Sequence, residues 1–183
     1  MSHVAVRLLA DRLAHDSEGI NAVSAHVPRF DGDEVPADVT VYDELRHPWV
    51  ARRQVPRADS EIDFPCAIVF MQTLDDPAGV AAEGVEGAYG TATVTLCIQV
   101  VMQDPETDGL VRSGAYIMRA IRGVLKRFDH PSLTTDPERE ACGTRLLPSL
   151  GMRSGQVTAF VDDTTYTPGC VFATYPILET VPI

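Results

Sequence analysis

The amino-acid sequence predicts a single α+β domain spanning residues 1–183, with two amphipathic helices packed on a mostly antiparallel or mixed β-sheet. Three observations predict this class. Apolar residues recur at helical spacing in two separate segments. Two strand-like runs flank a long glycine-rich loop, and two more strand-like runs lie near the C-terminus. Because 45% of the residues are hydrophobic, the chain can bury a substantial core.

The first predicted helix lies at the N-terminus. Its apolar residues repeat at helical spacing: Val4, Leu8, Leu9 and Leu13. Gly19 is a suitable stop for this helix, because glycine often follows the last helical turn. Residues 20–27 then predict a short extended segment that ends at Pro28.

Residues 29–63 form the least regular part of the sequence. Several prolines interrupt it, and it carries an acidic patch and a basic patch: Asp31, Asp33 and Glu34, then Arg52, Arg53 and Arg57. This composition predicts a long irregular surface excursion with one short strand over residues 39–42.

The clearest strand pair covers residues 65–73 and 91–102. In the second strand, apolar residues alternate with polar ones: Ala92, Val94, Leu96, Ile98 and Val100 against Thr91, Thr93, Thr95, Cys97 and Gln99. Residues 74–90 contain four glycines and four acidic residues. They predict a flexible hairpin loop, because they offer little apolar surface to offset the entropy of ordering. The acidic residues are Asp75, Asp76, Glu83 and Glu86.

The second helix is the strongest local prediction. Asp104 is a suitable N-cap, Pro105 suits the first helical position, and Glu106 complements the helix dipole. An apolar stripe follows: Leu110, Gly114, Ile117, Met118, Ile121, Leu125 and Phe128. Basic residues lie mostly off that stripe: Arg112, Arg119, Arg122, Lys126 and Arg127. They are either a solvated helix face or a contact with an acidic partner or a neighbouring copy.

The C-terminal part predicts two more strands. They cover residues 156–161 and 170–178 and are joined by a polar turn at residues 162–165. The element order is therefore helix, strands, helix, strands, which suits helices packed on one sheet.

Charge and composition exclude several classes of function. A net charge of −11 disfavours a phosphate-binding surface, since nucleic-acid affinity depends on lysine and arginine. The apolar runs are too short to cross a bilayer, and the N-terminus lacks the apolar core of a signal peptide, so we expect a cytoplasmic starting point and no membrane partner.

Residue patterns typical of catalysis or metal binding are also missing. The histidines are scattered, the four cysteines form no C-x-x-C pair, and neither a nucleophile elbow nor a phosphate loop is present. The acidic pairs Asp75-Asp76 and Asp162-Asp163 are typical of turns. We therefore predict no catalytic residue, no metal and no cofactor, and buried free thiols at the cysteines within strands.

The layout resembles the tail terminator, or tail completion, proteins of long-tailed bacteriophages. The resemblance covers about residues 65–183, and more weakly the first helix. It rests on the strand pair split by an acidic loop, the helix opened by Asp104-Pro105-Glu106, the C-terminal strand pair and, most of all, the strand sequence TATVTLCIQV at residues 91–100. It lies in the order of elements, with no diagnostic motif.

The resemblance implies a non-enzymatic virion protein at the head–tail junction, assembled in the host cytoplasm. Such subunits form a closed ring, commonly a hexamer, that terminates the tail tube and docks to the head connector or stopper protein. DNA would pass through the ring without specific binding. The arginines and Lys126 of the second helix would then contact a neighbouring copy or partner, and the acidic loop would contact the tail tube protein or line the channel.

Other functions remain open at this point. The segment at residues 29–63 is larger than a minimal terminator requires, which leaves room for another neck or head–tail joining protein. A small enzyme whose site is made only on folding, and a cellular adaptor domain, are the alternatives from other classes.

Overall fold

The computed structural model describes residues 2–43, 63–75, 88–103, 108–128, 144–155, 159–160 and 165–181. Within these residues it contains three helices and seven strands. In chain order they are α1 (Ser2–Leu13), α2 (Ile20–Ser24), β1 (Thr40–Asp43), β2 (Cys66–Asp75), β3 (Ala88–Gln103), α3 (Asp108–Phe128), β4 (Thr144–Leu146), β5 (Gly151–Gly155), β6 (Ala159–Phe160) and β7 (Thr165–Val181). The predicted α+β class, with helices on a mixed sheet, is confirmed.

The strands form one mixed sheet with the order β1-β2-β3-β7-β4. β1 runs parallel to β2, and every other pairing is antiparallel. β7 is the central strand, because β3 pairs with it along one edge while β4, β5 and β6 pair with successive parts of the other edge. The long β3–β7 ribbon, from the pair Gln103–Thr165 to the pair Ala88–Val181, is therefore the frame of the domain.

The main core lies between one face of the sheet and the helices. β3 alternates as expected, and its even-numbered residues from Val94 to Met102 are buried on this face. α1 contacts β1, β2, β3 and β4, whereas α3 contacts β3 and β7. The two long helices thus cover different parts of the same face, and their apolar stripes meet the strands there.

The connection between α1 and α2 corrects two predictions. α1 ends at Leu13, not near Gly19, and residues 20–24 form a helix where an extended segment was predicted. Gly19 is the N-cap residue of α2, and its amide donates to the carbonyl of His15 at 2.7 Å. A Cβ at Gly19 would lie 2.4 Å from the carbonyl oxygens of Leu13 and His15, so glycine is required by this close approach of two backbone segments.

An ion pair between buried Arg12 and partly exposed Glu18 holds the same connection. Arg12 is only 6% exposed, and its Nη1 donates to a carboxylate oxygen of Glu18. The hydrogen bond and charge of Arg12 lower the pKa of Glu18 below its ordinary value of 4.5. The pair fixes the chain reversal that leads α2 onto α3.

The remaining differences concern strands and their ends. β2 continues to Asp75 and β3 begins at Ala88, so both ends of the segment predicted as a loop, residues 74–75 and 88–90, lie in strands, and residues 76–87 lie outside the described residues. β4 and β5 were not predicted. β5 has the sequence GMRSG, which lacks strand periodicity, and it forms because β7 offers an unpaired edge. The predicted helix start at Asp104, Pro105 and Glu106 lies outside the described residues.

Candidate functional site

The helix α3 has three sides in different environments. The side toward the sheet is fully buried and includes Ile117, Ile121 and Leu125. It lies close to the strands, since a Cβ at Gly114 would be 2.7 Å from the side chain of Pro168. Because the helix packs directly on β3 and β7, the positions of its backbone, and hence the starting points of its other side chains, are fixed.

The second side of α3 contacts α2. A Cβ at Gly123 would lie 3.1 Å from the side chain of Val23, so the two helices approach closely at this point. Farther toward the start of α3, Tyr116 is 8% exposed and its hydroxyl accepts a hydrogen bond from the amide of Phe30 at 3.2 Å. The segment after α2 is therefore fastened along α3.

The third side of α3 faces solvent and carries the predicted contact residues Arg119, Arg122 and Lys126. We call these three the basic stripe. Their spacing of three and four residues places them on one face of the helix, along about 10 Å of its axis. No ion pair joins them to any residue that the structure describes. Among the described residues, the basic stripe is therefore a patch of positive charge without an ion-pair partner, on a chain with a net charge of −11.

Arg112, the fourth predicted contact residue, differs from the other three. Its Nη1 lies 3.0 Å from Oδ1 of Asp33, while the Tyr116 hydroxyl donates to Oδ2 of the same carboxylate at 2.5 Å. These contacts, the Tyr116 hydrogen bond first, lower the pKa of Asp33 below its ordinary value of 3.8. Arg112 therefore anchors residues of its own chain, a role that the sequence did not indicate.

The second predicted site, the acidic loop, is only partly within the described residues. Asp75 is exposed at the end of β2, opposite Thr93 of β3. Asp76, Glu83 and Glu86 lie outside the described residues. Asp75 is therefore the one carboxylate of the predicted loop site that the structure describes.

The opposite face of the sheet carries a second apolar cluster with neutral thiols. Cys66, Ile68 and Val101 are buried there. Burial raises the pKa of the Cys66 thiol to about 12, and burial together with the neighbouring Cys170 does the same for Cys97. Such thiols are poor nucleophiles at neutral pH, since the thiolate is the reactive form. The three described cysteines are free and buried, as predicted; Cys142 lies outside the described residues.

Polar contacts cross this face between neighbouring strands. Gln99 donates to the hydroxyl of Thr167 at 3.1 Å, and the hydroxyls of Thr95 and Thr174 lie 3.1 Å apart. At the edge, the guanidinium of Arg153 stacks 5.0 Å from the ring centroid of Phe172. The polar residues on this face bond to one another, so they stabilise the sheet.

Two of the large apolar side chains that are exposed among the described residues were not predicted to belong to a site. Phe30 is 77% exposed and Val35 is 54% exposed, and both lie in the acidic part of the irregular segment. Large apolar side chains that are exposed together on a protein surface are typical of interaction sites. An aromatic residue within a run of acidic residues was the available signal in the sequence.

The sequence matches no known family, and the described residues contain neither a membrane-spanning helix nor a candidate metal site. No protein-family model and no curated protein matches the sequence. None of the described helices combines the length and hydrophobicity that a membrane crossing demands. Within the same residues, no group of three or more histidine, cysteine and acidic side chains could hold a metal ion.

Proposed function

We propose that the chain is a structural subunit of the bacteriophage head–tail junction, where copies form a ring that terminates the tail tube and docks to the head connector. The observation that carries this proposal is the basic stripe. Three cations on the solvent side of a firmly packed helix have no carboxylate partner among the described residues, although the chain as a whole is strongly acidic. Such a patch suits an acidic protein surface.

Two further features support an assembly role. The basic stripe sits on a helix whose other sides contact the sheet and α2, so binding does not require the helix itself to become ordered. A closed ring uses two different patches of each subunit, and besides the basic stripe this chain exposes the carboxylates of Asp31, Glu34 and Asp38. The place of the ring, at the end of the tail tube, comes from the resemblance to tail terminator proteins.

Electron microscopy of assembled particles that contain a labelled copy of the chain tests the proposal. We expect density for a ring at the top of the tail tube, next to the head connector. The gene for the chain should also lie just before that of the major tail protein. Finding the label in the capsid shell or at the distal tip of the tail would overturn the proposal, as would its absence from particles.

The basic stripe gives a matched functional test. We expect the double variant Arg119→Glu/Arg122→Glu to fold normally and to yield heads and tails that fail to join. The control is Arg7→Glu/Arg127→Glu, which makes the same change in net charge at exposed positions outside the basic stripe. Equal particle yields from the two variants would contradict a contact through the basic stripe.

A further inference from the structure

Residues 30–38 form an exposed acidic ridge beside α3, and we propose that this ridge docks on the basic stripe of a second copy of the chain. The ridge combines two exposed apolar side chains with three exposed carboxylates: Phe30, Val35, Asp31, Glu34 and Asp38. This inference rests on the ring assembly proposed above, and it names the contact that closes the ring.

The ridge is held in place at both ends. At one end, Asp33 is bound by Arg112 and Tyr116, and the amide of Phe30 donates to the Tyr116 hydroxyl. At the other end, the side-chain amide of Asn21 forms two hydrogen bonds with the backbone of Val39, at 2.8 and 3.3 Å. A surface fixed before binding loses little entropy on docking, so its exposed groups contribute more fully to affinity.

The turn inside the ridge directs its side chains outward. The amide of Asp33 donates to the carbonyl of Phe30 at 3.1 Å, and Gly32 has φ of 89°, a conformation that suits glycine. Asp33 thus points back to α3, while Phe30 lies 77% exposed and Val35 54% exposed. An exposed aromatic on a fixed turn is typical of the anchors that dominate protein–protein contacts.

Charge complementarity identifies the occupant as another copy. The ridge offers the carboxylates of Asp31, Glu34 and Asp38, none of which forms an ion pair with a described residue. The basic stripe of the same chain offers three cations that form no ion pair with a described residue. Within one subunit Arg112 already binds Asp33, which shows that α3 cations and ridge carboxylates suit each other chemically.

The two patches also have the relation that a ring requires. They are different sets of residues in one subunit, with the ridge held at Arg112 and Tyr116 and the stripe beginning at Arg119. A single ridge-to-stripe contact leaves a free ridge on one copy and a free stripe on the other, and such a heterologous contact forms a ring when its rotation closes. In a two-fold dimer, by contrast, the ridge of each copy would meet the stripe of the other at the same time, so the size of the oligomer distinguishes the two arrangements.

Charge reversal with rescue tests this contact in the purified full chain. Sedimentation velocity and native mass spectrometry would compare the wild type, Arg119→Glu/Arg122→Glu, Asp31→Arg/Glu34→Arg, and the combination of all four changes. We expect an oligomer for the wild type, a dissociation constant about tenfold or more higher for each double variant, and recovery in the combined variant. The combined variant has the wild-type net charge of −11, so its recovery reports complementarity.

Two controls separate this contact from general effects. Arg7→Glu/Arg127→Glu has the same net charge as the stripe variant and should assemble like the wild type. Phe30→Ser removes an exposed aromatic and should raise the dissociation constant about tenfold or more, with unchanged circular dichroism. A monomeric wild type would overturn the proposal, and so would a combined variant that assembles no better than the double variants.

The results also test the ridge-to-stripe contact separately from the proposed function at the head–tail junction. Charge rescue in solution together with the absence of the chain from phage tails would keep the contact and overturn the head–tail function. A ring at the tail terminus whose assembly ignores all four charge changes would keep the function and overturn the contact.

Discussion

The sheet side and the solvent side of α3 differ in burial and in role. On the sheet side, Ile117, Ile121 and Leu125 are fully buried against β3 and β7, and Gly114 lies in close contact with Pro168. On the solvent side, Arg119, Arg122 and Lys126 have no partner among the described residues. The first side stabilises the domain, whereas the second contributes little to stability and is available for recognition.

Between these two sides lies a third region with features of both. Tyr116 is buried, yet its hydroxyl and the guanidinium of Arg112 bind Asp33 of the ridge. A basic residue on an amphipathic helix can therefore either stabilise its own chain through an ion pair or remain available to a partner. In α3, the position of the Asp33 carboxylate beside Arg112 decides which of the two roles that arginine has.

The largest expected effect comes from the sheet side. Ile121→Ala removes a fully buried side chain and leaves a cavity, so the free energy of unfolding should fall by about 2–5 kcal/mol. Chemical denaturation followed by circular dichroism measures it. A loss below about 1 kcal/mol would contradict the close packing of α3 on the sheet.

Gly114→Val tests the packing of α3 on the sheet by adding side-chain volume. A Cβ there would meet Pro168 at 2.7 Å and the sulfur of Met102 at 3.1 Å, so the helix must shift away from β7. We expect a loss of about 1–3 kcal/mol. Gly151→Val is the contrast, because no atom lies within 4 Å of a Cβ at Gly151 and its backbone does not adopt the left-handed conformation that favours glycine. Thermal unfolding that is unchanged in Gly114→Val would contradict the contact.

The anchor of the ridge should have an intermediate effect that depends on pH. Tyr116→Phe removes the hydroxyl that binds Asp33 and Phe30, which should lower stability at neutral pH by about 1–2 kcal/mol.

The sign of the pH dependence follows from the lowered pKa of Asp33. The stabilisation is present above the unfolded value of 3.8 and is lost as the pH falls through the folded value. The difference between wild type and Tyr116→Phe should therefore shrink at a pH well below 3.8. Denaturation midpoints of both proteins across that range measure it, and a constant difference would argue against the Asp33 contact.

The smallest effect on stability is expected on the solvent side. Arg119→Glu/Arg122→Glu should change the free energy of unfolding by less than about 0.5 kcal/mol, since both side chains are exposed and make no ion pair with described residues. Arg112→Glu, by contrast, breaks the contact with Asp33 and should cost more. If the double variant were the less stable of the two, the basic stripe would be part of the fold and unsuited to recognition.

Local patterns were sufficient for some elements and misleading for others. The alternation along β3 and the apolar stripe of α3 were read correctly, because each repeats over several turns or strand residues and matches one period. The prediction that residues 20–24 are extended was wrong. Ile20 and Val23 are β-branched residues that favour strands, but their burial against α3, near Gly123, makes this short segment helical.

The candidate site was predicted in part. The basic residues of α3 were recognised from their positions off the apolar stripe, and three of the four remain without an ion pair among the described residues. The separate role of Arg112 could not be predicted, because Asp33 lies 79 residues away in sequence. The exposure of Phe30 was missed for a similar reason, since the anchoring contacts of the ridge come from α2 and α3.

The α+β class, the strand β3, the helix α3 and the strong negative charge each follow from composition or from a local period. The pairing of β7 along both edges, the helical form of α2 and the use of Arg112 within the chain follow from contacts between distant segments. These three features have one cause. Edge pairing, helix docking and ion pairs depend on groups far apart in sequence, and their free energy exists only when folding brings those groups into contact.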